Sequence, residues 1–215
     1  MTSLPSGGSR NGVFDGTVNG DVVVPADQSC TLTNSCEITG NLTVTGGSLD
    51  LECVVDGNLT ANGGSLFLGP AAQVKGNVQV YQTSALTTNG ATINGNLAIQ
   101  NLSGNAQNTV CGTQIGRNLQ AQTNASPLEM GGTTSNGCAG NTIGGNLLVQ
   151  NNTAPVQVDN NTVDGNLLID ANTATTDASG NSVAKNMECE NNATVTYVAL
   201  NTVKGNNHGQ CSAFP

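Results

Sequence analysis

The chain has 215 residues, of which 36% are hydrophobic, 9% charged and 2% aromatic, and its formal net charge is −9. Five scattered cations and a shortage of aromatic rings exclude a nucleic-acid surface, which depends on phosphate neutralisation and base stacking. No apolar run reaches the roughly 18 residues needed to cross a bilayer, so no membrane span is predicted. A steady supply of Val, Ile and Leu predicts an ordered, repetitive fold rather than disorder.

Residues 1–16 are predicted to form an N-terminal extension. Their start, MTSLPSGGSRNG, lacks the hydrophobic segment of an intact signal peptide. The seven cysteines favour an oxidising compartment. We therefore expect a mature chain, secreted or displayed at the cell surface, whose leader was removed and replaced by a start Met.

From residue 17 onward, a pattern of apolar-x-Gly-Asn-apolar-x-apolar recurs ten times. The ten units are TVNGDVVV, EITGNLTV, VVDGNLTA, QVKGNVQV, TINGNLAI, QIGRNLQA, TIGGNLLV, TVDGNLLI, SVAKNMEC and TVKGNNHG. The position typically held by Gly falls at residues 20, 40, 57, 76, 95, 117, 145, 165, 185 and 205. A period near 20 residues is typical of one coil of a β-solenoid and too short for helix-pair repeats.

The predicted fold is therefore all-β: a single-stranded right-handed parallel β-helix of about ten coils over residues 17–211. The right hand follows the general preference of parallel crossover connections. Alternation along each unit puts Val163, Gly165, Leu167 and Ile169 on one face. Stacking then gives a Val/Ile ladder at residues 18, 38, 55, 74, 93, 115, 143, 163, 183 and 203. A Leu/Val ladder follows at residues 42, 59, 78, 97, 119, 147 and 167.

The Gly-Asn pair is predicted to mark the bend of each coil, where Gly permits close approach and Asn hydrogen-bonds to the next coil. The asparagines of this pair form one structural ladder: Asn41, Asn58, Asn77, Asn96, Asn118, Asn146, Asn166, Asn186 and Asn206. Two shorter ladders are predicted from Asn141, Asn161, Asn181 and Asn201, and from Asn152, Asn172 and Asn192.

Departures from the period divide the solenoid. Looser coils are predicted over residues 17–125, an inserted, protruding loop over 126–140, regular coils over 141–211 and a C-terminal tail over 212–215. The insertion explains the 28-residue step between Arg117 and Gly145. Loops on a rigid scaffold are common places for function.

The cysteines are predicted to form structural disulfides. Cys36 and Cys53 both lie four residues before their repeat Gly and should be stacked neighbours. Cys111 and Cys138 flank the insertion, and Cys189 and Cys211 lie on the last two coils. Cys30 is then left over, unless it pairs with Cys36 and leaves Cys53 free.

No catalytic, cofactor-binding or metal site is predicted. The single histidine, His208, lies in the terminal coil, and Asp159 and Asp170 have no Arg partner. Asp56 and Lys75 occupy one repeat position in consecutive coils, which predicts a weak ion pair. A polar rung is predicted at Gln100, Gln122, Gln150, Asp170 and Glu190.

Repeats run to about residue 211 without an amphipathic capping helix at either end. Either loops and a Cys189–Cys211 disulfide cover the unpaired strand edges, or the coils stack head to tail. The leading hypothesis is a non-enzymatic rod of the cell exterior, either a filament subunit or a surface adhesin. The alternatives are a glycan-binding or glycan-processing β-helix and an ice-binding protein. The last rests on an outward hydroxyl ladder of Thr142, Thr162, Ser182 and Thr202.

The units NTIGGNLLVQNN, NTVDGNLLID and NTVKGNNHGQC resemble a set of secreted bacterial β-solenoid repeat proteins with NTVGGNL-type repeats and no characterised role. More distantly, the G-N-L-x-V/I pattern resembles bactofilins, which are polymer-forming bacterial β-solenoids with uncapped ends. The cysteines and the low charge depart from bactofilins. Both resemblances imply a parallel β-solenoid, and neither brings catalytic residues.

Overall fold

A computed structural model describes residues 12–132 and 137–213 and the backbone of residues 2–3. The first coils contain β1 (Thr2–Ser3), β2 (Gly12–Phe14), β3 (Thr17–Val18), β4 (Val22–Val24), β5 (Ser29–Leu32), β6 (Glu37–Ile38), β7 (Leu42–Thr45), β8 (Ser48–Leu51), β9 (Val54–Val55), β10 (Leu59–Asn62) and β11 (Ser65–Leu68). The middle coils contain β12 (Gln73–Val74), β13 (Val78–Tyr81), β14 (Ala85–Asn89), β15 (Thr92–Ile93), β16 (Leu97–Gln100), β17 (Asn108–Cys111), β18 (Gln114–Ile115), β19 (Leu119–Gln122) and β20 (Leu128–Met130). The last coils contain β21 (Thr142–Ile143), β22 (Leu147–Gln150), β23 (Val156–Asp159), β24 (Thr162–Val163), β25 (Leu167–Asp170), β26 (Thr175–Ser179), β27 (Ser182–Val183), β28 (Met187–Glu190), β29 (Thr194–Thr196), β30 (Thr202–Val203) and β31 (Asn207–Gly209). A 3₁₀ helix, Gln210–Ala213, follows.

Every third strand joins the same sheet, so three parallel sheets run the length of the solenoid. Sheet A has eleven strands, from β1 and β4 through every third strand to β31. Sheet B has ten, from β2 to β29, and sheet C has ten, from β3 to β30. The prediction of an all-β parallel solenoid with about ten coils of some 20 residues is confirmed.

The predicted ladders form the core. The Val/Ile ladder is the inward column of sheet C, and each member pairs in register with the next. The Leu/Val ladder is an inward column of sheet A, which the structure extends to Val22 and Met187. Val163, Leu167 and Ile169 are fully buried. Burial of such apolar columns is the main stabilising term, at roughly 25 cal/mol per Å².

The Gly-Asn pair lies at the corner between sheets C and A, as predicted. The corner glycines are needed because successive coils approach closely: a Cβ on Gly165 would lie 2.5 Å from the carbonyl oxygen of Gly145. Among the corner glycines only Gly20 has a positive φ angle, of 100°, so left-handed backbone is not the general reason. Left-handed residues instead follow the strands of sheet A, for example Asn151, Ala171 and Asn191 with φ between 54° and 57°.

The structure differs from three predicted boundaries. Gly12–Phe14, placed in the extension 1–16, is strand β2 and pairs with β5. Leu128–Met130, placed in the loop 126–140, is a buried strand that pairs with β17 and β23. The sequence does not predict this strand, because Pro127 before it and the two glycines after it are typical of a loop. The tail 212–215 begins inside the 3₁₀ helix, and residues 133–136 and 214–215 lie outside the described residues.

Candidate functional site

The predicted nine-member asparagine ladder is confirmed and lies on the C-to-A corner, exposed or half-buried. Each member donates its backbone N–H to Oδ1 of the member before it, and most also donate Nδ2 to the same oxygen. The ladder starts one coil earlier than predicted, at Asp21, whose Oδ1 accepts from Asn41 N at 2.8 Å and Nδ2 at 3.0 Å. These hydrogen bonds lower the pKa of Asp21. The unit TVNGDVVV already placed Asp21 in the asparagine position.

The two shorter ladders are confirmed too, but they are largely buried and run in the opposite direction. Asn141 donates N and Nδ2 to Oδ1 of Asn161, which donates likewise to Asn181. Each Nδ2 also reaches a backbone carbonyl of an earlier coil; that of Asn161 donates to Met130 at 2.8 Å. All the polar atoms of these buried amides are therefore used, as burial requires.

The third ladder is longer at both ends than predicted. Asn124 donates N and Nδ2 to Asn152 and accepts from the backbone N–H of Leu102. At the other end lies Gln210, in the 3₁₀ helix. Its Oε1 accepts from the backbone N–H and Nδ2 of Asn192, and its Nε2 donates to the backbone carbonyl of Asn192. The segment Gln122-Thr123-Asn124 has Gln and Asn at the same spacing as Gln150-Asn151-Asn152, and this similarity in the sequence indicates that Asn124 belongs to the ladder.

Three disulfides hold neighbouring coils together. They join Cys36 to Cys53, Cys111 to Cys138 and Cys189 to Cys211, which resolves the alternatives left by the spacing. Cys30 is free and buried, and burial raises the pKa of its thiol. Three disulfides indicate an oxidising environment.

The predicted polar contacts on the surface are present. Lys75 Nζ lies 2.7 Å from Asp56 Oδ1, and this pair raises the pKa of Lys75. The polar rung of Gln100, Gln122, Gln150, Asp170 and Glu190 is one column of sheet A. Within the described ranges, no three His, Cys, Asp or Glu side chains are grouped so as to hold a metal ion.

Three carboxyl groups converge on the outer side of sheet B, and the sequence did not indicate this. Asp159 and Glu129 are 7% and 8% exposed. Ser179 links the first to Asp177, since its N–H donates to Asp159 Oδ1 at 3.2 Å and its hydroxyl to Asp177. Burial, and then the charges of Asp177 and Glu129, raise the pKa of Asp159 to about 7. Asp159 therefore exchanges its proton near neutral pH.

The outward hydroxyl ladder of Thr142, Thr162, Ser182 and Thr202 is confirmed as a column of sheet C whose members are exposed. Earlier coils carry Glu37, Val54 and Gln73 in the same column. The continuous run of hydroxyl groups is therefore confined to the later coils of this column, and its earlier coils include other residue types.

The terminal coils carry the exposed apolar surface. Among the described residues, the large exposed apolar side chains are Val13 on the first coil and Tyr197, Val198 and Leu200 on the last. Phe14, Val18, Val195 and Val203, which extend the core, are only partly buried. At the C-terminal end the 3₁₀ helix Gln210–Ala213 packs on β28 and β31 and buries Cys211, so this helix and the Cys189–Cys211 disulfide cover part of that end.

No helix among the described residues has the length and hydrophobicity to cross a membrane. Comparisons of the chain with protein-family models, with characterised proteins and with solved structures gave no match. The repeat geometry thus identifies the molecule as a disulfide-linked parallel β-solenoid with asparagine ladders.

Proposed function

We propose that the protein is a non-enzymatic structural rod of the cell exterior that associates head to tail through its terminal coils. The observation that carries this proposal is the location of exposed apolar side chains. Val198 and Leu200 are 90% and 63% exposed on the last coil, and Val13 is 70% exposed on the first. Large contiguous exposed apolar patches on a protein surface mark interaction sites.

The second support is the geometry of the sheet ends. In the described part of the chain, β2 and β3 at one end and β29 and β30 at the other each have a neighbour on one side only. The end strands of sheet C have the same sequence, Thr17–Val18 and Thr202–Val203. A second copy placed end to end would continue the parallel register, as each coil does with the next. Unpaired strand edges are templates for such pairing.

The 3₁₀ helix limits this contact to part of the end. It packs against β28 and β31, on the side of sheet A. The proposed contact therefore uses the edges of sheets B and C, next to Val198 and Leu200. The exterior location is supported by the three disulfides and by the resemblance to secreted bacterial repeat proteins.

Electron microscopy and sedimentation velocity over a concentration series test the proposal. Wild-type protein is expected to form rods whose lengths are multiples of one monomer. The double variant Val198→Asp and Leu200→Asp should remain monomeric, because two charges would be buried in the contact. The matched control, Thr142→Asp with Thr162→Asp, adds the same charges to the middle of sheet C and should assemble like wild type. Single rods of wild-type protein at every concentration, or assembly that stops at dimers, would contradict head-to-tail stacking.

A further inference from the structure

A groove of about 490 Å³ runs along the outer face of sheet B. Its lining includes Pro127, Pro155, Gln157, Thr175, Asp177 and Thr196. These residues lie on or directly before β20, β23, β26 and β29, which are consecutive neighbours in sheet B. The groove therefore crosses four coils along the rod axis, a span of about 14 Å at the usual interstrand spacing. Its volume is within the range of small-ligand sites.

The groove has polar groups that are free to bind. Gln157 and Thr175 are exposed, and although their backbones pair in sheet B, neither side chain has a hydrogen-bond partner among the described residues. Asp177 is held in place because its two carboxylate oxygens accept from the hydroxyls of Ser179 and Thr196. Pro127 and Pro155 occupy adjacent coils and present apolar ring surface beside these groups. The lining is thus an apolar surface edged by amide, hydroxyl and carboxylate groups.

We propose that this groove binds an extended, neutral polysaccharide chain along the rod axis. Sugar hydroxyls both donate and accept, which matches an amide, a hydroxyl and a carboxylate side by side. The C–H faces of pyranose rings match the proline rings. Both kinds of contact are those expected of a ligand site, in which apolar lining supplies area and a few polar groups supply orientation.

The spacing of the groove favours a polysaccharide over a peptide. Equivalent side chains recur once per coil, at about 4.8 Å. Successive rings of an extended β-1,4-linked chain face opposite ways, so the same ring face returns every two units, a length comparable with two coils. An extended peptide repeats its side chains on one face only every two residues, at about 6.6 Å, and drifts out of step with the coils.

The charge of the groove favours a neutral polymer over an anionic one. No Lys or Arg is among the described residues that line it. Asp177 lies in the groove, and its charge is close enough to Asp159 to raise the pKa of that carboxyl. A chain with a net charge of −9 and a carboxylate in the groove would repel polyanions.

This proposal does not depend on head-to-tail association. The groove ends at Thr196 on β29, the edge strand of sheet B, whereas Gln157 and Thr175 lie on β23 and β26, inside that edge. Replacing Gln157 and Thr175 leaves the edge strands unchanged, so groove binding and end-to-end assembly are tested by separate variants.

Native affinity electrophoresis tests the groove with three neutral probes, hydroxyethyl cellulose, xylan and glucomannan, and one anionic probe, polygalacturonate. At least one neutral polymer is expected to retard the wild-type protein, and polygalacturonate is not. The double variant Gln157→Ala and Thr175→Ala should bind about tenfold more weakly, because two hydrogen-bonding side chains are lost. Its melting temperature should match that of wild type, since both side chains are exposed and make no internal hydrogen bond.

The matched control is Thr60→Ala with Gln79→Ala, the same residue types on the outer side of sheet A, where they are neighbours in adjacent coils. This control should be retarded like wild type. The proposal is overturned if none of the three neutral polymers retards the protein. It is equally overturned if the groove variant and the control bind alike, or if polygalacturonate binds as strongly as the neutral probes.

Discussion

Asn141 and Asn161 lie one above the other in adjacent coils, and Asn141 donates both its backbone N–H and its Nδ2 to Oδ1 of Asn161, at 3.0 and 2.9 Å. Both side chains are at most 1% exposed. On the exposed corner the order is reversed, since Asn166 donates to Asn146. The solenoid therefore contains amide columns whose dipoles point in opposite directions along the axis, so that their fields partly cancel.

Replacing Asn161 with Ala is expected to destabilise the protein far more than replacing Asn77 with Ala. Asn161→Ala leaves both donors of Asn141 unpaired inside the core and removes the Nδ2 bonds to Asn181 Oδ1 and to the Met130 carbonyl, while the backbone N–H of residue 161 still donates to Asn181. Buried groups of this kind cost about 1–3 kcal/mol each, and we expect a total loss of roughly 3–5 kcal/mol. Asn77 is exposed, so water replaces its bonds and the loss should be about 1 kcal/mol. The midpoints of guanidinium unfolding measure the stability lost in each variant. Equal shifts for Asn161→Ala and Asn77→Ala would show that burial of a ladder asparagine does not increase its contribution to stability.

Gly165→Ala is expected to be destabilising by about 1–3 kcal/mol, because its Cβ would overlap the coil before it. Lys185 occupies the same column one coil later. Its backbone N lies 3.1 Å from the carbonyl oxygen of Gly165, whereas the backbone N of Gly165 lies 2.8 Å from the carbonyl oxygen of Gly145. A side chain therefore fits where the coils are slightly further apart. Thermal unfolding of Gly165→Ala is best compared with Lys185→Ala, which keeps a Cβ and should be nearly neutral. A neutral Gly165→Ala would mean that the coils can separate without cost.

The stability of the protein should fall between about pH 4 and pH 7. Burial and the neighbouring Asp177 and Glu129 raise the pKa of Asp159 from 3.8 to about 7, so the folded chain binds this proton more tightly than the unfolded chain. The stabilising contribution is complete below the unfolded value, declines as the pH rises and is lost above about pH 7. Asp159→Asn should flatten this part of the profile, since an amide keeps the acceptor for Ser179 and carries no charge. The test is to measure the melting temperatures of the wild-type protein and of Asp159→Asn across this pH range. Parallel profiles would mean that other groups cause the pH dependence of stability.

Ala171→Asn should stabilise the protein by about 0.5–1 kcal/mol. Ala171 has a φ of 54°, and its column neighbours Asn151 and Asn191 have the same geometry. Asn tolerates left-handed backbone better than Ala does. Ala98→Asn, in a strand of sheet A, is the control and should lower stability, because Asn is disfavoured in strands. A lower melting temperature for Ala171→Asn would count against backbone strain at this corner.

Cys30 should be the one thiol that reacts with a thiol reagent, and only after unfolding. It is buried and unpaired, whereas the other six cysteines form three disulfides. Titration with a chromogenic disulfide reagent should find no reactive thiol in the native protein and one per chain in guanidinium. After reduction and unfolding the count should be seven. Rapid labelling of the native protein, or three thiols after unfolding without reductant, would contradict the assignment.

Much of the fold was readable from the sequence because a constant period decides which residues stack. Val163 and Val183, Asn146 and Asn166, and Cys36 and Cys53 are each separated by about one period, and each pair is in contact. The spacing of Asp56 and Lys75 likewise predicted their ion pair. The strand Leu128–Met130 was not predictable in this way, because a 28-residue step hides the period there.

The sequence by itself determined the coil, its inward columns and the corner at Gly-Asn, since these depend only on spacing and on alternation along a strand. The tertiary structure alone decided the direction of each amide ladder, the burial of Asp159 beside Asp177, the groove on sheet B and the packing of Gln210–Ala213. These features depend on side-chain orientation and on segments that break the repeat, where neighbours in space are not related by the period.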